Sequence, residues 1–266
     1  MTLLRARDCE NPIVDWPRRL VAGAVFVIGT VVVTAAAIAI APGGEDTPTI
    51  AIDDLGPAPT TTLPVPPTPV ALAPGPHAPI LSRIDTTDPV VFLTIDDGLV
   101  QDPAVVEYLR KTKIPVTIFP TPPFVNENPA YFEAIHALGA SVQDHTVNHK
   151  NLTTLSPGEQ QREICNVIPA FAARFGQSPW MLRPPGGAVN SSVQYAARSC
   201  GLRVIVLWRA TMNDGRLETQ GGTLRAGDIV LLHFRNDLRH NLEVVVAEAK
   251  AQGLRPARLE DYLTPG

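Results

Sequence analysis

Basic residues are missing from a long stretch near the start of this chain of 266 residues: after Arg19, no Lys or Arg appears until Arg83. Inside that gap, Leu20 to Ala41 carries no charge of either sign, and its Val, Ala and Ile side chains leave no face able to meet water. A buried helix of a soluble domain is therefore a poor reading of residues 20–41. At about 1.5 Å per residue, a run of about 22 residues crosses a roughly 30 Å hydrocarbon layer, so a transmembrane signal anchor is expected. Arg5, Arg7, Arg18 and Arg19 lie ahead of it, which orients residues 1–19 toward the cytoplasm and the rest of the chain outside the cell membrane. A cleaved signal peptide competes, because Ala37-Ile38-Ala39 and Ala39-Ile40-Ala41 resemble cleavage sites. However, the run exceeds the usual apolar core of about 7 to 15 residues, and a cut after Ala41 would leave Pro42 first.

Bulky side chains are scarce next. Residues 42–79 contain no Phe, Trp or Tyr but eleven prolines, which excludes a packed core and predicts an extended Pro/Thr-rich linker over 42–82. Cysteine is scarce too. Of three, Cys9 falls on the expected cytoplasmic side, and an oxidising exterior permits a single Cys165–Cys200 disulfide. No basic cluster occurs, and the net charge of −4 argues against a nucleic-acid partner. No internal repeat is visible.

From Arg83 onward, short apolar runs alternate with amphipathic ones. Val90 to Ile95, Val116 to Phe119, Ser141 to Gln143, Trp180 to Leu182, Val204 to Trp208 and Ile229 to Leu232 read as strands. Helices are predicted over 103–111, 130–138, 191–199 and 242–251, with another from a Ser156/Glu159 capping box through Phe175 to a stop at Gly176. This alternation predicts an α/β domain over 83–266 with a parallel sheet. About seven units are too few for an eight-unit barrel, so a distorted (β/α) barrel is expected, with function gathered at the carboxyl ends of its strands.

Asp96, Asp97, His145, Arg183 and His233 all fall just after predicted strands. His145 and His149, four apart, share a face if that segment is a helical turn, and a carboxylate from Asp96-Asp97 completes a two-His, one-carboxylate set for a divalent cation. Adjacent residues at a strand end point differently, so one aspartate can hold the metal while its neighbour accepts a proton from water. The arrangement is that of a hydrolase.

The chain resembles the polysaccharide deacetylase family, the NodB-homology group of carbohydrate esterase family 4, over roughly Pro89 to Leu263. Thr94-Ile95-Asp96-Asp97-Gly98, His145-Thr146-Val147-Asn148-His149, Arg183-Pro184-Pro185-Gly186-Gly187 and Ile229-Val230-Leu231-Leu232-His233 carry the resemblance. It implies a divalent metal, usually zinc with cobalt as a substitute, and removal of N-acetyl groups from amino sugars of peptidoglycan or another N-acetylglucosamine polymer. Asp97, His145 and His149 would hold the metal. Asp96 would be the base, oriented by Arg183, and His233 the acid. Gly186 would stabilise the oxyanion through its N–H, beside Pro185, Trp208 and Asp214 around the substrate. Two departures stand out. Gly186 replaces a common aromatic wall, and Thr211 and Gly215 replace the aspartate and tryptophan that support the acid histidine, leaving Asp214 as a substitute. A glycan-binding module of weakened activity is the competing reading.

Overall fold

A computed structural model describes residues 67–264. The expected cytoplasmic segment, the membrane span at 20–41 and the linker up to residue 66 lie outside the described residues. Among the described residues, no helix is long and apolar enough to cross a membrane.

In chain order the elements are β1 (Val70–Ala71), β2 (Ile80–Leu81), β3 (Val90–Asp97), α1 (Pro103–Thr112), β4 (Thr117–Pro120), α2 (Pro122–Glu127), α3 (Pro129–Ala137), β5 (Ser141–Val142), α4 (Pro157–Cys165), α5 (Val167–Phe175), β6 (Met181–Leu182), α6 (Ser191–Ser199), β7 (Val204–Val206), β8 (Ala210–Asn213), β9 (Arg216–Thr219), β10 (Ile229–His233), α7 (Leu238–Ala251), β11 (Arg255–Pro256) and β12 (Leu263–Thr264). The fold is α/β, and its strands form three sheets. The largest runs β5-β4-β3-β10-β8-β9 with β11 also on β3, a second runs β2-β7-β6, and β1 pairs with β12. Isolated bridges at Asp144–Leu182 and Arg83–Asp228 link the two larger sheets, where one continuous seven-strand barrel was expected.

Residues 67–82 depart from the linker expected of them. Val70–Ala71 pairs with Leu263–Thr264 and Ile80–Leu81 with Ile205–Val206, while Leu72 and Ala78 are buried. Proline lacks a donor but keeps its carbonyl, and Pro79 uses it to accept from Ile205 N. The long helix expected to end at Phe175 is two helices. Pro169 has no N–H for the Cys165 carbonyl and its ring crowds that carbonyl, so the chain breaks at Asn166. The capping box is formed, and Gly176 closes α5 at φ 71°.

β3 organises the core. Val91, Leu93 and Ile95 join helix side chains such as Val105 and Phe132, whereas Val90 and Phe92 join Phe119, Met181, Val204, Val206 and Ile229. The two-residue period thus splits one strand between two apolar clusters. Each such side chain contributes about 1.5 to 3 kcal/mol by leaving water, which fixes the register of β3 and with it the aspartates at its end.

Candidate active site and metal centre

Asp96 continues the column of Val90, Phe92 and Thr94. Its carboxylate is buried and accepts from Arg183 Nη1 at 3.1 and 3.3 Å. Arg183 is wholly buried. Its Nη2 donates to Thr94 Oγ1 at 3.1 Å, its Nε to the Val206 carbonyl, and its guanidinium lies 4.7 Å from the Phe119 ring centroid and 5.4 Å from that of Trp208. A buried guanidinium held on so many sides can present a carboxylate in one direction only.

Asp97 belongs to the other column, and the chain turns there at φ 77°. Gly98 follows at φ 118°, where a Cβ would meet Phe124 and Phe132 at 2.9 Å, so the turn needs glycine. Asp97 Oδ1 lies 3.1 Å from His149 Nε2 and 3.4 Å from His145 Nε2, and the three ligand atoms fall within 4.8 Å of one another. The histidines do not share a helix face as expected. They sit in an irregular loop after β5, with φ of 66° at Thr146 and 53° at His149, and these left-handed residues turn both rings inward.

The donor set fits a cation. His145 Nδ1 donates to the Arg183 carbonyl at 2.6 Å, which turns Nε2 toward the Asp97 carboxylate. Asp97 Oδ1 is buried and has no hydrogen bond of acceptable geometry, although both imidazoles are near. The carboxylate oxygen and the two Nε2 atoms can converge at such distances only where a positive charge, a proton or a metal cation, joins them. Burial alone would raise the Asp97 carboxyl, but the His145 and His149 imidazoles outweigh it and hold that carboxyl well below the usual carboxylate range. The Asp97 carboxylate raises His149 above its ordinary value, against the opposing effect of burial.

His233 ends β10 in register with Asp96. Burial lowers its pKa from 6.5, despite the raising fields of Asp96 and Asp97, and its Nδ1 is buried with no hydrogen-bond partner. Thr211 on β8 aligns with Leu231. Asp214 does not stand in for the missing carboxylate. It is exposed at the tip of an antiparallel β8–β9 hairpin, with φ of 48° and 71° at Asp214 and Gly215, the Asp-Gly turn that such a two-residue loop favours. Asp214 N donates to Asp237 and Gly215 N to Asn241, and a Cβ on Gly215 would meet His240 at 2.8 Å. The hairpin packs on α7, and a tryptophan in Gly215's place would be strained at φ 71° and would displace His240.

Pro185, Gly186 and Gly187 form a short 3-10 turn after β6. A Cβ on Gly187 would touch Trp208 at 3.0 Å, so the turn rests on that indole. A Cβ on Gly186, at φ 62°, would meet nothing within 4 Å, so the position of the absent aromatic is open. Thr94, the Val206 carbonyl and Glu163, which accepts from Asn148, were not singled out in the sequence. No spacing rule marks partners that sequence separations of 15 to 89 residues bring together.

Comparison with known proteins agrees with this geometry. A family model described as polysaccharide deacetylase matches residues 83–205. The uncharacterized protein SCO4760 of Streptomyces coelicolor is 39% identical over 194 residues, covering 70% of this chain and 77% of that one. The chain belongs to the polysaccharide deacetylase family. Within this family, carbohydrate esterase family 4, it is 27% identical over 196 residues to a peptidoglycan-N-acetylglucosamine deacetylase of Bacillus cereus, covering 68% of this chain and 91% of the relative. Among solved structures, a mutant of the Bacillus anthracis protein BA3943, a pseudoenzyme of the family with restored activity, superposes with a TM-score of 0.62 at 23% identity, over 70% of this chain and 71% of that one. At that identity the likeness shows the fold, and the side chains present must carry the argument for activity. The expected Cys165–Cys200 disulfide is present, with Cα atoms 5.0 Å apart.

Proposed function

We propose that the chain is a metal-dependent hydrolase that removes N-acetyl groups from amino sugars of cell-surface polysaccharide, peptidoglycan or another N-acetylglucosamine polymer. The observation that carries this reading is the convergence of Asp97, His145 and His149 beside the buried Asp96–Arg183 pair. A bound divalent cation, zinc or cobalt, supplies positive charge that polarises the acetamide carbonyl and makes a nearby water more acidic. Asp96 takes the proton from that water, and Arg183 fixes the carboxylate's direction. The N–H of Gly186 faces the developing oxyanion, with Pro185 and Trp208 bounding the sugar. His233 gives its proton to the departing amine. Residues 20–41 hold the protein to the cell membrane, and the linker sets the site outward toward the wall.

The test is acetate release from chitooligosaccharides and peptidoglycan by the zinc- or cobalt-loaded protein. Absence of release with glycan binding intact would overturn the enzyme reading. A second reading, a glycan-binding module of weakened catalysis, draws on one observation, the unpartnered His233 Nδ1 beside a strand that offers Thr211 and no carboxylate. Under that reading glycan is bound and acetate is not released.

A further inference from the structure

The loop that carries both histidines is gripped from one helix. Glu163 on α4 is buried, and its carboxylate accepts from Asn148 N at 2.8 Å through Oε2 and from Asn148 Nδ2 at 2.9 Å through Oε1. Its main-chain carbonyl accepts from Val147 N at 2.9 Å, and Lys150 Nζ lies 3.4 Å from Oε1. Residues on both sides of His149 are therefore tied to Glu163, whereas His149 itself is half exposed and backbone-strained at φ 53°. A left-handed conformation at a non-glycine residue costs about 1 kcal/mol or more and persists only where neighbours over-determine it.

The mount behind this grip is rigid. Cys165, two residues beyond Glu163, is cross-linked to Cys200 at the end of α6. Gln160 on the same helix accepts from Ser192 Oγ at 2.7 Å and donates to the Leu152 carbonyl at 2.9 Å. Hydrogen bonds to an ionised carboxylate are stronger and shorter than neutral ones, so a buried glutamate is a better clamp for this loop than a glutamine of equal size.

We infer that Glu163 is a positioning residue for the metal: through Asn148 and Val147 it holds the loop in the one conformation that brings His149 within reach of the cation held by His145 and Asp97. The inference rests on the metal-binding reading above. It adds a determinant of metal affinity that touches neither metal nor substrate.

Titrating the metal-free, full-length protein with cobalt and following its visible absorption, with zinc competition, decides the matter. Glu163→Gln is expected to weaken binding by roughly tenfold, as loss of a partner behind a ligand does, while the rate at saturating metal stays within about twofold of wild type. Asn148→Asp, which sets a carboxylate against Glu163, should weaken binding comparably. The paired exchange Glu163→Gln with Asn148→Asp restores a donor facing an acceptor and should recover affinity to within about threefold. A folded Glu163→Gln protein that binds cobalt as tightly as wild type, or a paired exchange no tighter than the weaker single variant, overturns the inference and leaves the metal site standing. A wild type without a cobalt spectrum, matched by His145→Ala, overturns the metal reading and this inference with it.

Discussion

On the side of the site built from β3 and the segments after β5 and β6, Asp96, Arg183, His145 and the histidine loop each have a partner behind them, and Asp97 Oδ1 is left for a cation. Asp96 has Arg183, Arg183 has Thr94 and the Val206 carbonyl, His145 has the Arg183 carbonyl, and the loop has Glu163. On the side built from β8 and β10, His233 keeps a buried nitrogen without a partner, Thr211 stands on the neighbouring strand, and Asp214 is exposed at a hairpin tip. The family model matches 83–205, which contains Asp96, Asp97, His145, His149 and Arg183 and stops before Thr211, Asp214 and His233. Under the proposed function, the base Asp96 and the ligand His145 are held by neighbouring groups, whereas the acid His233 keeps a nitrogen without a partner. On the same proposal, such an asymmetry would limit activity at the acid step.

The comparison can be broken most sharply on its well-supported side. Asp96→Asn should lower acetate release by about 10²- to 10⁴-fold while zinc stays bound in one-to-one ratio by elemental analysis. Retained activity would move the base elsewhere. Arg183→Ala should cost about 3 to 5 kcal/mol in urea unfolding, because it leaves the Asp96 charge buried without its counterion. The exposed Arg110–Glu107 pair is the control, and Arg110→Ala should leave the unfolding midpoint essentially unchanged. Cys165→Ala opens a link between residues separated by 35 in sequence and should lower stability by roughly 3 to 4 kcal/mol. An equal midpoint with and without reductant in the wild type would contradict this.

The smallest effect tests the weak side. Burial holds His233 below 6.5, so its protonated form is lost as pH rises through that lowered value, and the alkaline limb of kcat/KM should lie on the acid side of 6.5. Thr211→Asp should raise the histidine's pKa, move that limb to higher pH and increase the rate near pH 7.5 by about tenfold, about one pKa unit. A pH profile unmoved by the substitution would mean that proton return does not limit the reaction.

Much of this site was legible in advance, and the misses have physical causes. Asp96, Asp97, Arg183 and His233 were placed by one rule, that they follow apolar runs, because strands buried on both faces betray themselves in sequence. The pairing of Cys165 with Cys200 followed from cysteine scarcity. The helical turn expected for His145 and His149 was wrong because a spacing of four also fits a loop with left-handed residues, and side-chain ties from Asp144 and Glu163 made that loop the stable choice. The hairpin at Asp214-Gly215 carried a recognisable turn signal that was read as part of a catalytic motif. The prolines of 67–82 suggested a spacer, yet edge strands accept proline wherever only its carbonyl is needed.

The sequence by itself determined which side chains meet at strand ends, because the two-residue period of β3 assigns Asp96 and Asp97 to opposite faces whatever surrounds them. Tertiary structure alone decided how those groups are held. Arg183 is buried between Phe119 and Trp208, Glu163 reaches the histidine loop across 15 residues, and His233 Nδ1 is left bare. Local periodicity sets a direction for each side chain, whereas its partner depends on packing between segments distant in sequence, which no local pattern encodes.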